Sequence, residues 1–338
     1  GPQSAGAAPG PAAYNKGGED PTVTDANIVL GYLPETALLG GEMPINRARA
    51  EAAVQKIATA TELGIRQAAA GIIDIVNENM FGALRLISVE QGYDPRDFAL
   101  MAFGGAGPLH ANALARLTGA WPAIIPRGPG VLCAYGDATT QIRNEASRTF
   151  IRRFSELEAG EIAGLFSDIE HKALETLVAE NVPPSDRSVT YEFDMRYSGQ
   201  SMQITLGVSL DEITTAGFSV IGKRFNELHK QLYTFELDAE LELINLRAVA
   251  TSQRTFARAQ EIVSGSADCS AARVGEQIIF ADNSEHTADV YNRAELKANN
   301  RIAGPAIITE MDSTTLILPS HTGDIDNLGN IFIRPSEG

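Results

Sequence analysis

Residues 98–119, FALMAFGGAGPLHANALARLTG, narrow the choice of fold more than any other stretch of this chain. Six apolar residues, Phe98 to Phe103, have the length and texture of a buried strand in a parallel sheet. Gly104, Gly105 and Gly107 follow, then a helical pattern that puts Leu109, Ala113, Leu114 and Leu117 on one side. Pro108 suits the first turn of that helix and Gly119 its stop. A strand, a glycine turn and a helix N-terminus expose bare backbone, and the free amides there favour anionic or polar groups. The spacing is not G-x-G-x-x-G, no acidic residue sits where a ribose contact would, and there is no Walker lysine. Two readings of the turn therefore stand: a ligand site, or a tight connection that binds nothing.

At 338 residues the chain has room for two or three domains, and 44% hydrophobic with 21% charged residues suits a protein with a real core. No apolar run approaches the ~20 residues of a membrane span, and no signal peptide is visible. Two cysteines, Cys133 and Cys269, argue against a disulfide framework and lead us to expect a cytoplasmic protein. The five histidines are scattered without metal-ligand spacing. A net charge of −16 with no basic patch excludes nucleic acid as a partner.

Taken in order, residues 1–20 are rich in Gly, Pro and Ala and read as a disordered leader, a linker cut mid-domain, or a backbone-rich loop lining a site. Thr22 to Leu30 begins with strand-like Thr and Val. Asp25 there has two readings, a cap for a helix starting near Ala26 or a carboxylate for Mg²⁺ beside a phosphate. Gly40-Gly41 ends that unit. Arg47–Thr61 is helical, and Ile65, Ala69, Ile72, Val76, Met80, Ala83 and Ile87 form a stripe that predicts a long helix ending near Gly92. Asn77 and Arg85 fall off the stripe, at the surface or facing a cleft. A turn at 94–97, the central stretch and a short strand at 123–125 complete an alternating α/β layer.

Past Glu145 the texture changes. A helix at 154–180, two strands within 189–208 turning at Ser198-Gly199-Gln200, a helix at 218–233 and a strand at 243–249 are expected, then short strands from residue 277 onward. The expected division is 1–145, an α/β lobe; 146–255, an α+β region; and 256–338, a β-rich region.

Taken together and in order, GPQSAGAAPGPAAY, TVTDANIVLG, DPRDFALMAFGGAGPLHA, EFDMRYSGQSMQITL and GPAIITEMDSTTLILP resemble the hydantoinase A/oxoprolinase family from one end of the chain to the other. The resemblance implies an actin/Hsp70/sugar-kinase-like ATPase lobe, ATP and Mg²⁺ as cofactors, and a hydrolase for cyclic amides (hydantoinase or 5-oxoprolinase type). The same family holds subunits of acetone and acetophenone carboxylases, so an ATP-dependent ketone carboxylase is the alternative. A scaffold lobe without turnover is a rival of another class, and a small-molecule kinase lacks an identifiable acceptor base.

The family's A subunits are longer and carry an Asp-x-Gly-Gly-Thr-like phosphate loop in an N-terminal lobe. On that pattern this chain is the C-terminal half of an A-type subunit. Its implied partners are the N-terminal half, a B-type subunit and a small-molecule substrate. Thr24, Asp25 and Asn27 fall on the segment expected to face phosphates and metal, with Asp25 the metal ligand and a catalytic candidate. Gly104, Gly105, Ala106 and Gly107 fall on the turn expected to meet adenosine. His110, one helical turn on, is the other catalytic candidate, either reaching the ligand cleft or hydrogen-bonded as a neutral ring within the lobe. Arg196 to Gln200 shapes an interface or the substrate route, or is a plain hairpin, and Asp312, Ser313 and Thr314 read as a polar turn.

Overall fold

A computed structural model describes residues 4–35, 43–253 and 260–336. The expected stop at Gly40-Gly41 lies outside these residues. The chain forms two compact units, Gly1–Gly136 together with Arg258–Gly338, and Asp137–Ala257. Both mix helices with sheets. No helix among the described residues is long and apolar enough to cross a membrane.

In the first unit, helices α1 (Val23–Val29), α2 (Arg47–Thr61), α3 (Ile65–Ile87) and α4 (Gly107–Thr118) accompany two sheets. One sheet has the order β1-β2-β13-β12-β9, built from Leu100–Met101, Ala123–Ile125, Ile331–Pro335, His321–Ile325 and Arg301–Ala303. The other runs β11-β10-β8-β7, from Thr314–Ile317, Ala306–Thr309, Ser284–Asn292 and Arg273–Ala281. Alternation along β10 divides the interior: Ile307 joins the core of α1, α2 and α3, whereas Ile308 joins a second core with Ala123, Ile125 and Ile331. Helix α4 serves both, with Leu109 in the first core and Ala111 and Ala115 in the second.

The second unit begins within α5 (Leu132–Ala138) and packs α6 (Ala159–Ala179) and α7 (Phe218–Tyr233) on an antiparallel sheet. Its order is β3-β6-β4-β5, from Arg143–Arg153, Leu241–Ser252, Arg187–Tyr197 and Ile204–Val208. Phe166 of α6 stacks on Phe193 of β4 at 5.6 Å, and Tyr197 meets Phe225 of α7 edge-on at 5.2 Å.

Three expectations need correction. The helix begins at Val23 rather than near Ala26, and Val23 and Thr24 are helical rather than strand-like, because Thr22 and Asp25 make a capping box that overrides the β preference of Thr and Val. The run 98–103 does pair in parallel with β2, but β1 is an edge strand of two residues, and Phe98, Met101 and Phe103 are about half exposed. Residues 12–14 form a 3-10 turn in which Ala12 and Ala13 are buried, so the reading of this part as a disordered leader does not hold.

Candidate functional site

Parallel strands send their carboxyl ends to one edge of a sheet, and the loops leaving that edge are where α/β proteins place ligands. Here β1 runs into Gly104 and its parallel neighbour β2 runs into residues 126–130. The two loops are tied directly, since Gly104 N–H donates to the Pro129 carbonyl at 2.7 Å. Gly104 holds φ at +84°, a conformation that glycine adopts freely.

The turn after β10 closes on the same place. Glu310 N–H donates to the Ser313 carbonyl at 3.1 Å, and Ser313 Oγ donates to the Gly105 carbonyl at 3.3 Å. Gly130 admits the turn. A Cβ there would stand 2.7 Å from the Cβ, carbonyl oxygen and Oδ2 of Asp312. Three loops thus brace a corner whose own surface is bare: Gly105 and Ala106 are exposed, and Gly104 and Gly107 are half-buried. Helix α4 starts at this corner with Pro108 in its first turn and no side-chain cap, so its N-terminal dipole end faces the loop uncovered.

Asp25 is engaged elsewhere. Its carboxylate is fully buried and accepts from Ala12 N–H (3.2 Å), Ala13 N–H (2.9 Å), Thr22 N–H (3.0 Å) and Thr22 Oγ1 (2.7 Å). These four donors clamp residues 12–13 to the first turn of α1, and none of them belongs to the glycine corner. Among the described residues no group of three or more His, Cys, Asp or Glu side chains is gathered as a metal site. Thr24 is half-buried beside it, and Asn27 is buried with Oδ1 lacking a partner among the described residues.

His110 is buried on α4 and hydrogen-bonds Asn77 Oδ1 of α3 through Nδ1 at 2.8 Å. Because Asn77 Oδ1 only accepts, the assigned network puts the ring proton on Nδ1. Burial lowers the pKa of the imidazole, which holds it neutral. Of the two readings left open by the sequence, the observed contact is the one inside the lobe. Asn77, which falls off the apolar stripe, is likewise a core residue rather than a surface one.

The polar groups of 196–200 are used within the second unit. Arg196 Nε and Ser198 Oγ both donate to Glu242, and the buried Tyr197 donates to Asn226 Oδ1 at 2.9 Å. That segment is a hairpin from β4 to β5. What sequence reasoning missed is the brace: Gly130, Asp312 and Ser313. The signal available was the glycine spacing of residues 128–130 beside a second polar turn, and it acquires meaning only once β2 and β10 are seen to end together.

Family models described as hydantoinase/oxoprolinase and hydantoinase/oxoprolinase C-terminal domain match residues 1–146 and 153–328. Caprolactamase subunit alpha of Pseudomonas jessenii is 32% identical over 342 residues, covering 99% of this chain and 49% of that protein. Acetophenone carboxylase gamma subunit of Aromatoleum aromaticum is 35% identical over 339 residues, covering 94% of this chain and 45% of that protein. The crystal structure of ATP-dependent caprolactamase from Pseudomonas jessenii matches the fold with a TM-score of 0.89 at 30% identity, over 100% of this chain and 50% of that chain. The chain therefore spans about half the length of these relatives. Residue pattern, fold and relatives converge: the chain belongs to the hydantoinase/oxoprolinase family.

Proposed function

We propose that this chain forms one wall of the nucleotide site in the ATP-binding subunit of an ATP-dependent cyclic amide hydrolase. The observation that carries the reading is the open, braced glycine corner at Gly104–Gly107, beside an uncapped helix start. Bare backbone admits the flat faces of adenine and ribose, and the rigid brace spares the site an ordering cost on binding. In this reading the first unit is a lobe of the actin/Hsp70/sugar-kinase type. The rest of an A-type subunit supplies the facing lobe, a B-type subunit joins the complex, and the complex works in the cytoplasm, where two unbridged cysteines are at home.

A cyclic amide resists hydrolysis because resonance deactivates its carbonyl. ATP, when bound, supplies the phosphoryl group that makes the carbonyl carbon a better electrophile. This chain's part is to hold and orient the nucleoside, since phosphoryl transfer depends mainly on positioning. Asp25 is poorly placed to hold Mg²⁺: its Oδ2 accepts three hydrogen bonds and its Oδ1 one, and among the described residues no group of three or more His, Cys, Asp or Glu is gathered as a metal site. Asp25 is instead a positioning residue for residues 12–13 and for the segment bearing Thr24 and Asn27. His110, neutral and held by Asn77, stiffens the packing of α4 behind the corner rather than transferring a proton.

The second reading, a subunit of a ketone carboxylase, is favoured by the 35% identity to an acetophenone carboxylase subunit. One experiment addresses both readings. Binding of a fluorescent ATP analogue is measured on the 338-residue chain and on the complex it co-purifies with, followed by ATP turnover with lactams or with ketones plus bicarbonate. Gly105→Val is expected to weaken nucleotide binding at least about tenfold, an effect of about 1.4 kcal/mol. Gly160→Ala, at a site with open space around it, leaves binding unchanged. Nucleotide binding untouched by Gly105→Val overturns the assignment of the corner, and the substrate that stimulates turnover chooses between the reactions.

A further inference from the structure

Register fixes where the hairpin between β10 and β11 turns. Thr309 pairs with Thr314, so Glu310, Met311, Asp312 and Ser313 make the whole connection, closed by the bond from Glu310 N–H to the Ser313 carbonyl. This turn leans on both of the other loops at the glycine corner. The Asp312 carbonyl oxygen would stand 3.4 Å from a Cβ on Gly105, and Asp312 Oδ2 would stand 2.7 Å from one on Gly130. The Asp312 carboxylate therefore overhangs Gly130, one residue from the Pro129 carbonyl that receives the Gly104 N–H.

The three loops carry few polar side chains: Arg127, Glu310, Asp312 and Ser313. Ser313 Oγ donates to the Gly105 carbonyl, and Arg127 Nη1 donates to the Gln260 carbonyl at 3.2 Å. Glu310 turns inward, its Oε1 buried away from solvent. Asp312 differs from all of them. It is half-buried, and among the described residues its carboxylate has no hydrogen bond or ion pair. An unused acceptor thus stands beside bare backbone that leaves room for a ligand.

Carboxylate chemistry selects which part of a nucleotide comes there. Two acceptor oxygens with a negative charge repel phosphate and attract hydrogen-bond donors. The vicinal hydroxyls of ribose are two donors side by side, matched to the two oxygens. Adenine is a poorer match, because its amino group lies beside ring nitrogens that accept and would face the second oxygen lone pair to lone pair.

We propose that Asp312 is the ribose-reading residue of the nucleotide site, its carboxylate oxygens accepting from the 2′ and 3′ hydroxyls while the triphosphate points away. Dinucleotide-binding folds place such an acid a short way along the chain from the glycine turn. Here it arrives from a hairpin of the other sheet, so spacing along the sequence does not reveal it. This role rests on the nucleotide reading of the corner, and it fixes which end of the nucleoside faces the turn.

The test is calorimetric titration of the 338-residue chain, and of the complex it co-purifies with, using ATP, 2′-deoxy-ATP, 3′-deoxy-ATP and GTP. The parent protein should bind ATP at least about tenfold more tightly than either deoxy analogue. Asp312→Ala should bind the three adenine nucleotides within about twofold of one another. Its melting should match the parent's, since truncation strands no hydrogen-bond partner. Asp312→Asn, which keeps the side-chain shape, should reduce the preference to about threefold or less and serves if alanine loosens the turn. Failure of ATP to bind in any form sinks the nucleotide reading and the ribose assignment together. ATP binding that Gly105→Val weakens but that is indifferent to either hydroxyl overturns the ribose assignment alone, as does a preference that survives both Asp312 variants. A preference for GTP that Asp312→Ala abolishes puts a base edge on the carboxylate and overturns it too.

Discussion

Asp25 illustrates how a residue's chemistry follows from its donors. A carboxylate that accepts three backbone N–H groups and a hydroxyl is a structural anchor, and its removal strands buried donors in two segments at once. Asp25→Ala should cost about 3 kcal/mol or more in urea denaturation, with the same loss in the presence of Mg²⁺ or a chelator. Metal-dependent stability of the parent chain would return Asp25 to the role of a ligand. Gly130 makes the complementary case: Gly130→Ala forces a methyl group against the Asp312 backbone and should cost about 1–3 kcal/mol. Gly104→Ala meets open space and is strained only by its φ of +84°, about 1–2 kcal/mol on the same assay. The sequence made the glycine corner legible because glycine spacing is local. It hid the brace, because Gly130 and Asp312 come from distant strands, and it left Asp25 ambiguous, because a cap and a metal ligand call for the same side chain.

At the scale of elements, helices with a long period were readable closely: α2, α7 and the start of α3 follow the apolar spacing and its stops, whereas α3 ends at Ile87, short of the expected Gly92, and a separate 3-10 turn at Val89–Gln91 fills the gap. The face of α3 was not. Its buried positions are Ala68, Ala69, Ile73 and Asn77, while Ile75, Leu86 and Ile87 are more than half exposed. The apolar count therefore pointed slightly off the true core direction, and the polar Asn77 is inside because His110 of α4 satisfies it. The short strands β9 and β12 gave no clear signal, since three to five residues are too few for alternation to register. The α3–α4 contact carries a pH dependence. Burial lowers the His110 pKa below its usual 6.5, so the stability tied to the neutral ring is full above that value. It is lost as pH falls from there towards the folded-state pKa. Denaturation midpoints measured from about pH 7.5 down to about pH 5 should decline, and His110→Gln should flatten the part of the decline that begins near the histidine range.

For the whole molecule, the decisive feature is that the second unit is an excursion between two parts of the first. Its opening and closing strands are paired: Arg143 of β3 registers with Thr251 of β6, Gln141 Nε2 donates to the Ser252 carbonyl at 2.6 Å, and Ile142 N–H donates to Ser252 Oγ at 3.0 Å. Entry and exit therefore lie side by side, the geometry in which a domain is inserted without straining its host. The unit also owns its core, from Ile162, Phe166 and Phe193 to Tyr197, Phe225 and Leu246, all at 1% exposure or less. Texture along the sequence signalled a change past Glu145, but it gave no sign that residues beyond 258 return to the first unit, since a sheet order such as β1-β2-β13 is a long-range fact. A fragment of residues 137–257 should accordingly fold alone, with a cooperative thermal transition and dispersed amide NMR signals. Its transition should lie within a few degrees of one phase in the melting of the 338-residue chain. A fragment with helical signal but no cooperative transition would show that the excursion depends on its host for packing, and the independence inferred from its closed core would fall.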